Sequence, residues 1–93
     1  MNNINATAST FGLLSDPSRI RLIKLMLTTK DLCVSELAQK AEISLSATSH
    51  QLRKLEFLGI VESCRNGKEI CYCINKESSL ARKIIGFLRE AKI

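Results

Sequence analysis

The side chains best suited to chemistry in this 93-residue chain are short hydroxyls, an imidazole and cations gathered between positions 44 and 54. Placed on a helical wheel, most of them share one face, while apolar side chains occupy the other. Such a face can lie in a DNA major groove, where short polar groups read base edges and cations meet phosphates. An ordinary solvated helix face can have the same composition, so the surrounding elements must distinguish a DNA-reading face from a merely solvated one. The candidate residues are Ser44, Ser46, Ser49, His50, Arg53 and Lys54.

Cysteines form the second set, at Cys33, Cys64, Cys71 and Cys73. The last three alternate along a predicted hairpin and therefore share one face. Three thiols on one face can bind a thiophilic metal ion (Zn, Cd or As), act as a redox or electrophile switch, or simply pack as small apolar side chains. Cys33 precedes a separate helix, and we expect it to lie far from the other three. In a reducing compartment, a structural disulfide framework is not expected.

The helices that position these residues are predicted from caps and periodicity. Asp16 and Pro17 form a helix start, and Gly59 is placed to end a helix. The first helix has Phe11 among its apolar anchors, and the second leaves Arg19 for the surface. The predicted helices cover 8–14, 17–27, 34–40, 46–58 and 78–91.

Two segments of period two, 60–65 and 68–74, predict strands. Asn66-Gly67 between them is a strong signal for a two-residue hairpin turn, which would pair Arg65 with Lys68. Cys64 then lies diagonal to Cys71, within reach of a disulfide if the twist allows it. The tip is basic, and Arg65, Asn66 and Lys68 are expected to hold it to the DNA backbone.

These elements predict a mainly α fold with a two-stranded β-hairpin wing, which is a winged helix-turn-helix. Its order is four helices, two strands and a final helix, in one domain covering residues 1–93. The outer helices, 8–14 and 78–91, carry apolar stripes that we expect to form a homodimer. A two-fold dimer would place two reading helices about one DNA turn apart on a palindromic operator in double-stranded DNA.

Composition sets broad limits on function. The net charge of +5 suits a polyanionic partner. No segment predicts a secretory signal or a membrane span, so a cytoplasmic protein without a membrane partner is expected. A nucleophile triad, paired carboxylates and a phosphate loop are all missing from the sequence, and we therefore expect no enzyme.

Four segments together resemble one family. LSDPSRIRLIKLM, DLCVSELAQKAEIS, LSATSHQLRKLEFLGIVES and RNGKEICYCI are similar to the ArsR/SmtB family of bacterial winged-helix repressors. The resemblance implies a homodimer formed by the outer helices and an operator that is released when a metal or another inducer binds.

The chain departs from the family pattern at its metal sites. DLCVSEL resembles the family's thiolate box, but Ser35 stands where a second cysteine is usual. The last helix has neither the His nor the Asp of the other common site. Gln51 replaces a frequent His and is expected to point inward. The function expected is therefore a dimeric DNA-binding transcriptional repressor whose inducer is a thiol oxidant, an electrophile or a metal ion. The alternative is a winged-helix protein-interaction module that does not read DNA.

Overall fold

A computed structural model describes residues 3–29 and 32–92, apart from the side chains of Asn3, Ala6, Arg65 and Asn66. Four helices are followed by an antiparallel hairpin and a fifth helix, so the predicted element order and the winged helix-turn-helix fold are confirmed. The elements are α1 (Asn3–Leu13), α2 (Pro17–Thr28), α3 (Val34–Ala41), α4 (Leu45–Phe57), β1 (Val61–Asn66), β2 (Glu69–Ile74) and α5 (Ser79–Glu90). Within residues 3–29 and 32–92, the helices include none that could span a membrane.

A carboxylate cap begins α2 and a hydroxyl cap begins α4, and the cap at Asp16 is the predicted one. Asp16 caps α2 by accepting a hydrogen bond from the N–H of Ser18 at 3.0 Å. Ser44 caps α4 through its Oγ, which accepts from the N–H of Ala47 at 3.0 Å. These bonds satisfy backbone donors that have no partner inside the helix, and so they fix where each helix starts.

The end of α4 turns the chain sharply into the hairpin. Gly59 has a φ of 80°, and its N–H donates to the carbonyl of Glu56 at 2.9 Å. The N–H of Ile60 donates to the carbonyl of Leu55 at 3.0 Å, which completes a Schellman motif. The predicted helix end at Gly59 is therefore confirmed, and β1 begins two residues later.

One hydrophobic core joins all seven elements. Leu22 of α2, Leu37 of α3, Leu52 of α4 and Ile84 of α5 are fully buried at its centre. The hairpin closes one side of the core through Tyr72 and its neighbours. This shared core holds α4 and the hairpin in a fixed relation, because each packs on the same buried side chains.

The first helix begins earlier than predicted, at Asn3 instead of residue 8. Ile4, Ala8 and Phe11 recur at helical spacing, which extends one face of α1 toward its start. That face is open to solvent, since Ile4 and Phe11 are exposed. Phe11 is therefore not an anchor in the core of this chain.

The hairpin forms with a register shifted by two residues from the prediction. Asn66 pairs with Glu69, so the two-residue loop is Gly67-Lys68 and not Asn66-Gly67. Gly67 has a φ of 67° at the first loop position, a conformation that glycine adopts without steric cost. A shift of two leaves every side chain on its original face, so the alternating pattern cannot distinguish the two registers.

Candidate nucleic-acid interface

The outward face of α4 carries the predicted polar side chains. Ser46, His50, Arg53 and Lys54 are exposed, and Ser44 is exposed at the capping position. Ser49 is half-buried and faces the hairpin side of the helix. Glu56 is an exposed carboxylate near the end of the same helix. The face therefore offers hydroxyls, an imidazole and cations to a ligand that extends along α4.

The hairpin β1–β2, called the wing below, lies beside the start of α4. Leu45 and Ser49 of α4 line a cleft of about 340 Å³ together with Lys68 and Ile70 of the wing. Lys68 is exposed in the loop. The side chains of Arg65 and Asn66 lie outside the described residues, so their predicted contacts remain predictions. The wing and α4 thus present neighbouring surfaces.

A polar network fixes the inner side of α4 to α2. Arg19 is only 8% exposed, and its Nε donates to Oε1 of Gln51 at 3.0 Å. The Nε2 of Gln51 donates to Oδ2 of Asp16 at 2.8 Å. Arg19 also donates to the carbonyl of Leu13 at 3.2 Å, which reaches the end of α1. The predicted inward position of Gln51 is confirmed, whereas the predicted surface position of Arg19 is wrong, because these acceptors satisfy its buried guanidinium.

Two ionisable groups have shifted pKa values near this network and the wing. Hydrogen bonds from Ser18 and then from Gln51 lower the pKa of Asp16, because they favour its carboxylate form. Burial raises the pKa of Tyr72, and the nearby carboxylate of Glu56 raises it further. Asp16 thus remains the charged partner in the contact between α2 and α4.

Cys33 and Cys71 form a disulfide, so the prediction that Cys33 lies far from the hairpin is wrong. The segment before α3 runs along the free edge of β2. There the N–H of Tyr72 donates to the carbonyl of Leu32 at 3.4 Å, and Cys33 pairs with Cys71 in an antiparallel bridge. Directly paired residues share a face, which brings the two sulfurs together. This third-strand contact could not be read from the sequence, because it is only one bridge long.

The wing register places Cys64, Cys71 and Cys73 on one face, as the alternation predicts. Cys64 lies directly opposite Cys71, not diagonal to it. Its Sγ is 3.8 Å from the Sγ of Cys73, and Cys73 also contacts the carbonyl of Glu62 at 3.7 Å. Neither of these two thiols belongs to the disulfide.

The described thiols do not fit a metal centre as they stand. Cys71 is bonded to Cys33, which leaves two neighbouring thiols where a thiolate site usually needs three or four ligands. Across residues 3–29 and 32–92, no group of three or more Cys, His, Asp or Glu side chains could hold a metal ion. His50 lies exposed on α4.

The outer helices meet through aromatic side chains. Phe11 of α1 and Phe87 of α5 pack edge to face with ring centroids 6.4 Å apart. They remain 59% and 48% exposed. The two rings, together with Ile4, therefore leave an apolar surface open on the described chain.

The fold and the exposed polar face of α4 define a winged helix-turn-helix protein. The profile described as "Bacterial regulatory protein, arsR family" matches residues 16–63. The chain belongs to this arsR family, which confirms the predicted resemblance. The description of this family is that of a regulatory protein.

Individual relatives have similar descriptions. A "Transcriptional repressor SmtB homolog" from Synechocystis sp. is 38% identical over 86 residues, covering 90% of this chain and 64% of that protein. A "Cadmium resistance transcriptional regulatory protein CadC" from Listeria innocua is 36% identical over 64 residues, covering 69% of this chain and 54% of that protein. This chain thus spans less than two thirds of either relative. The crystal structure of the transcriptional repressor BigR from Xylella fastidiosa matches with a TM-score of 0.80 and 30% identity, over 94% of this chain and 84% of that one.

Proposed function

We propose that this protein is a dimeric transcriptional repressor that reads a palindromic operator with α4 and releases it in response to an inducer acting on thiols. The observation that carries the proposal is the exposed polar face of α4 beside the wing. Descriptions of the relatives as transcriptional repressors and regulators support it.

Each side chain has a distinct role in the proposal. Arg53 is long enough to reach a base edge from the middle of α4, and a bidentate arginine contact selects guanine. Ser46, Ser49 and His50 supply shorter donors and acceptors to neighbouring bases. Ser44, Lys54 and Lys68 meet phosphates, with Arg65 and Asn66 beside Lys68 in the wing. Phosphate contacts fix the register of the protein without reading sequence.

The dimer is proposed to form through α1 and α5. The exposed rings of Phe11 and Phe87 provide an apolar patch, and a second copy of this patch would cover it by two-fold symmetry. Covering it would give two copies of α4 a fixed spacing on DNA.

The inducer is proposed to act on the cysteines. The Cys33–Cys71 bond joins the start of α3 to the wing, and Cys33 lines the cleft between α4 and the wing. Making or breaking this bond would therefore change how the wing is held against the helix-turn-helix. A thiophilic metal ion remains the second inducer class, since CadC is described as a cadmium resistance regulator.

A fluorescence anisotropy titration on the DNA upstream of its own coding sequence tests the function. Arg53→Ala should weaken operator binding by about 1 to 3 kcal/mol and relax sequence preference, because a base contact is lost. Lys68→Ala should weaken binding to all DNA sequences similarly. It should also lower the slope of log affinity against log salt concentration by about one. Lys24→Ala removes an exposed cation on α2 and serves as the matched control.

The same titration is repeated under reduction, after oxidation, and with Zn(II), Cd(II) and As(III). Loss of binding with redox state alone assigns a thiol switch, and loss with one metal under reduction assigns a metal sensor. Absent or salt-insensitive DNA binding would instead favour a protein-interaction module and overturn the proposal.

A further inference from the structure

Three cysteines form a row across the wing. β2 has β1 on one edge and the short segment ending at Cys33 on the other. Cys71 pairs directly with Cys64 on the first edge and with Cys33 on the second. Directly paired residues in antiparallel strands share a face, with Cβ atoms about 4.5 to 5.5 Å apart. Cys71 therefore lies between two cysteines, and it is bonded to only one of them.

The cysteines inside and outside the disulfide differ in access to solvent. Cys33 and Cys71 are 3% and 2% exposed, whereas Cys64 is exposed and Cys73 is half-buried. Thiol–disulfide exchange requires the attacking thiolate to reach a disulfide sulfur. A thiol in solution reaches Cys64 readily. The two bonded cysteines expose almost none of their surface to it, although Cys33 stands at the wall of the cleft beside α4.

We propose that Cys64 and Cys73 form a surface dithiol site through which small thiols and disulfides reduce and re-form the buried Cys33–Cys71 bond. The exchange chemistry stands on the geometry of the four cysteines alone. Its consequence for operator binding rests on the function proposed above.

The exchange takes two internal steps. Cys64 loses its proton to solvent, and its thiolate attacks the Sγ of Cys71. A Cys64–Cys71 bond forms, the Cys33–Cys71 bond breaks, and Cys33 leaves with the electron pair and takes up a proton. The thiolate of Cys73 then attacks the Sγ of Cys64 and displaces Cys71 in the same way. One disulfide has replaced another, so no external oxidant is consumed.

The surface pair exchanges electrons with the surroundings. Two molecules of a small thiol reduce the Cys64–Cys73 disulfide to two thiols and leave as one small disulfide. In the reverse direction, a small disulfide oxidises Cys64 and Cys73, and the internal steps carry the oxidation to Cys33 and Cys71. The 3.8 Å between the Sγ atoms of Cys64 and Cys73 suits this closure.

A concavity beside Cys73 provides room for such a reagent. Its volume is about 290 Å³, and Met26, Thr29 and Lys76 line it together with Cys73. This is near the lower end of the size range of small-molecule sites. The cation of Lys76 favours a reagent that carries carboxylates. Glutathione and its disulfide combine that charge with the required sulfur chemistry, so they are suitable probes of the site.

The rate of reduction tests the proposal. Oxidised protein is mixed with reduced glutathione, quenched in acid, alkylated and digested with trypsin, and the reduced Cys33 in peptide 31–40 is quantified by mass spectrometry. The double variant Cys64→Ser/Cys73→Ser should lose the surface route, so reduction should slow by about tenfold or more. Ser63→Ala alters an exposed neighbour on the opposite face of β1 and should keep the wild-type rate. A double-variant rate within about twofold of wild type would overturn the proposal.

A trapped intermediate gives a second readout. In Cys73→Ser, Cys64 can attack Cys71 but no thiol remains to complete the exchange. Peptide 69–76 then holds a single cysteine, so its link to peptide 55–65 identifies the Cys64–Cys71 bond. Reduction of Cys33 without that linked pair would contradict the route.

Operator binding separates the two proposals. If Cys64 and Cys73 speed the reduction of the Cys33–Cys71 bond in a protein that binds no operator, the dithiol site is supported and the repressor function is overturned. If the protein binds its operator but its buried disulfide is reduced equally fast with and without Cys64 and Cys73, the repressor function is kept and the dithiol site is overturned.

Discussion

The guanidinium of Arg19 in α2 donates to the side-chain oxygen of Gln51 in α4 across a distance of 3.0 Å. This bond joins the supporting helix to the helix that carries the candidate DNA-reading face. It also orients the amide of Gln51, whose nitrogen donates to Asp16 at 2.8 Å. The two residues are 32 positions apart in sequence, so the contact depends on the packed fold.

Removing Arg19 should destabilise the protein more than removing its neighbouring arginine. Arg19→Ala leaves Gln51 and the carbonyl of Leu13 without their buried donor, which should cost about 2 to 3 kcal/mol in free energy of unfolding. Arg21→Ala is the matched control, because Arg21 lies exposed on the same helix and should change stability by about 0.5 kcal/mol or less. Urea unfolding followed by circular dichroism measures both. Equal losses would contradict a structural role for the Arg19 network.

The contact between Gln51 and Asp16 should appear in the pH dependence of stability. The folded pKa of Asp16 lies below its ordinary value of 3.8, so the folded state favours the carboxylate. Its stabilising contribution is complete above the unfolded pKa and is lost as pH falls through the folded pKa. Gln51→Ala should raise the pKa of Asp16 toward 3.8 and reduce this acid-dependent loss.

A carbon-detected NMR titration of the Asp16 carboxyl measures that shift directly. Gln39→Ala replaces an exposed glutamine on α3 and serves as the control. An Asp16 titration curve that is unchanged in Gln51→Ala would mean that the amide does not stabilise the carboxylate.

Breaking the disulfide should lower stability through the unfolded state. Cys33 and Cys71 are 38 positions apart, and the enclosed loop contains α3, α4 and β1. Chain-entropy arguments for a loop of this length give about 4 kcal/mol of stabilisation. Oxidised and dithiothreitol-reduced protein, compared by urea unfolding, should differ by up to that amount. Cys64→Ala/Cys73→Ala retains the disulfide, so its oxidised form should stay within about 1 kcal/mol of wild type. No difference between the two redox states would argue against this role of the bond.

The exposed aromatic patch predicts the effect of a substitution on oligomeric state. Phe87→Ser should raise the dimer dissociation constant by about tenfold or more, since it removes apolar area from the proposed interface. Phe57→Ser is the control, because Phe57 is more exposed than Phe87 but lies at the end of α4, outside the two outer helices. Sedimentation velocity over a concentration series measures the result. A dimer that responds equally to both substitutions would place the interface elsewhere.

Local signals were sufficient for most of the fold. Asp16-Pro17, Ser44 and Gly59 mark helix ends through hydrogen bonds to backbone groups only a few residues away. Such bonds depend on nearby sequence, and for that reason the element order was predicted correctly. The register of the wing was predicted wrongly, because the predicted and the observed registers keep the same side chains on the same faces.

Caps, periodicity and the four family-like segments were enough to predict a winged helix-turn-helix of the arsR family, with a polar face on α4 and three cysteines on one face of the wing. The bond between Cys33 and Cys71 and the burial of Arg19 against Gln51 became visible only in the folded chain. Periodicity and caps report on neighbours along the chain, whereas these contacts join segments more than 30 residues apart. Their partners become defined only when the shared core brings α2, α3, α4 and the wing together.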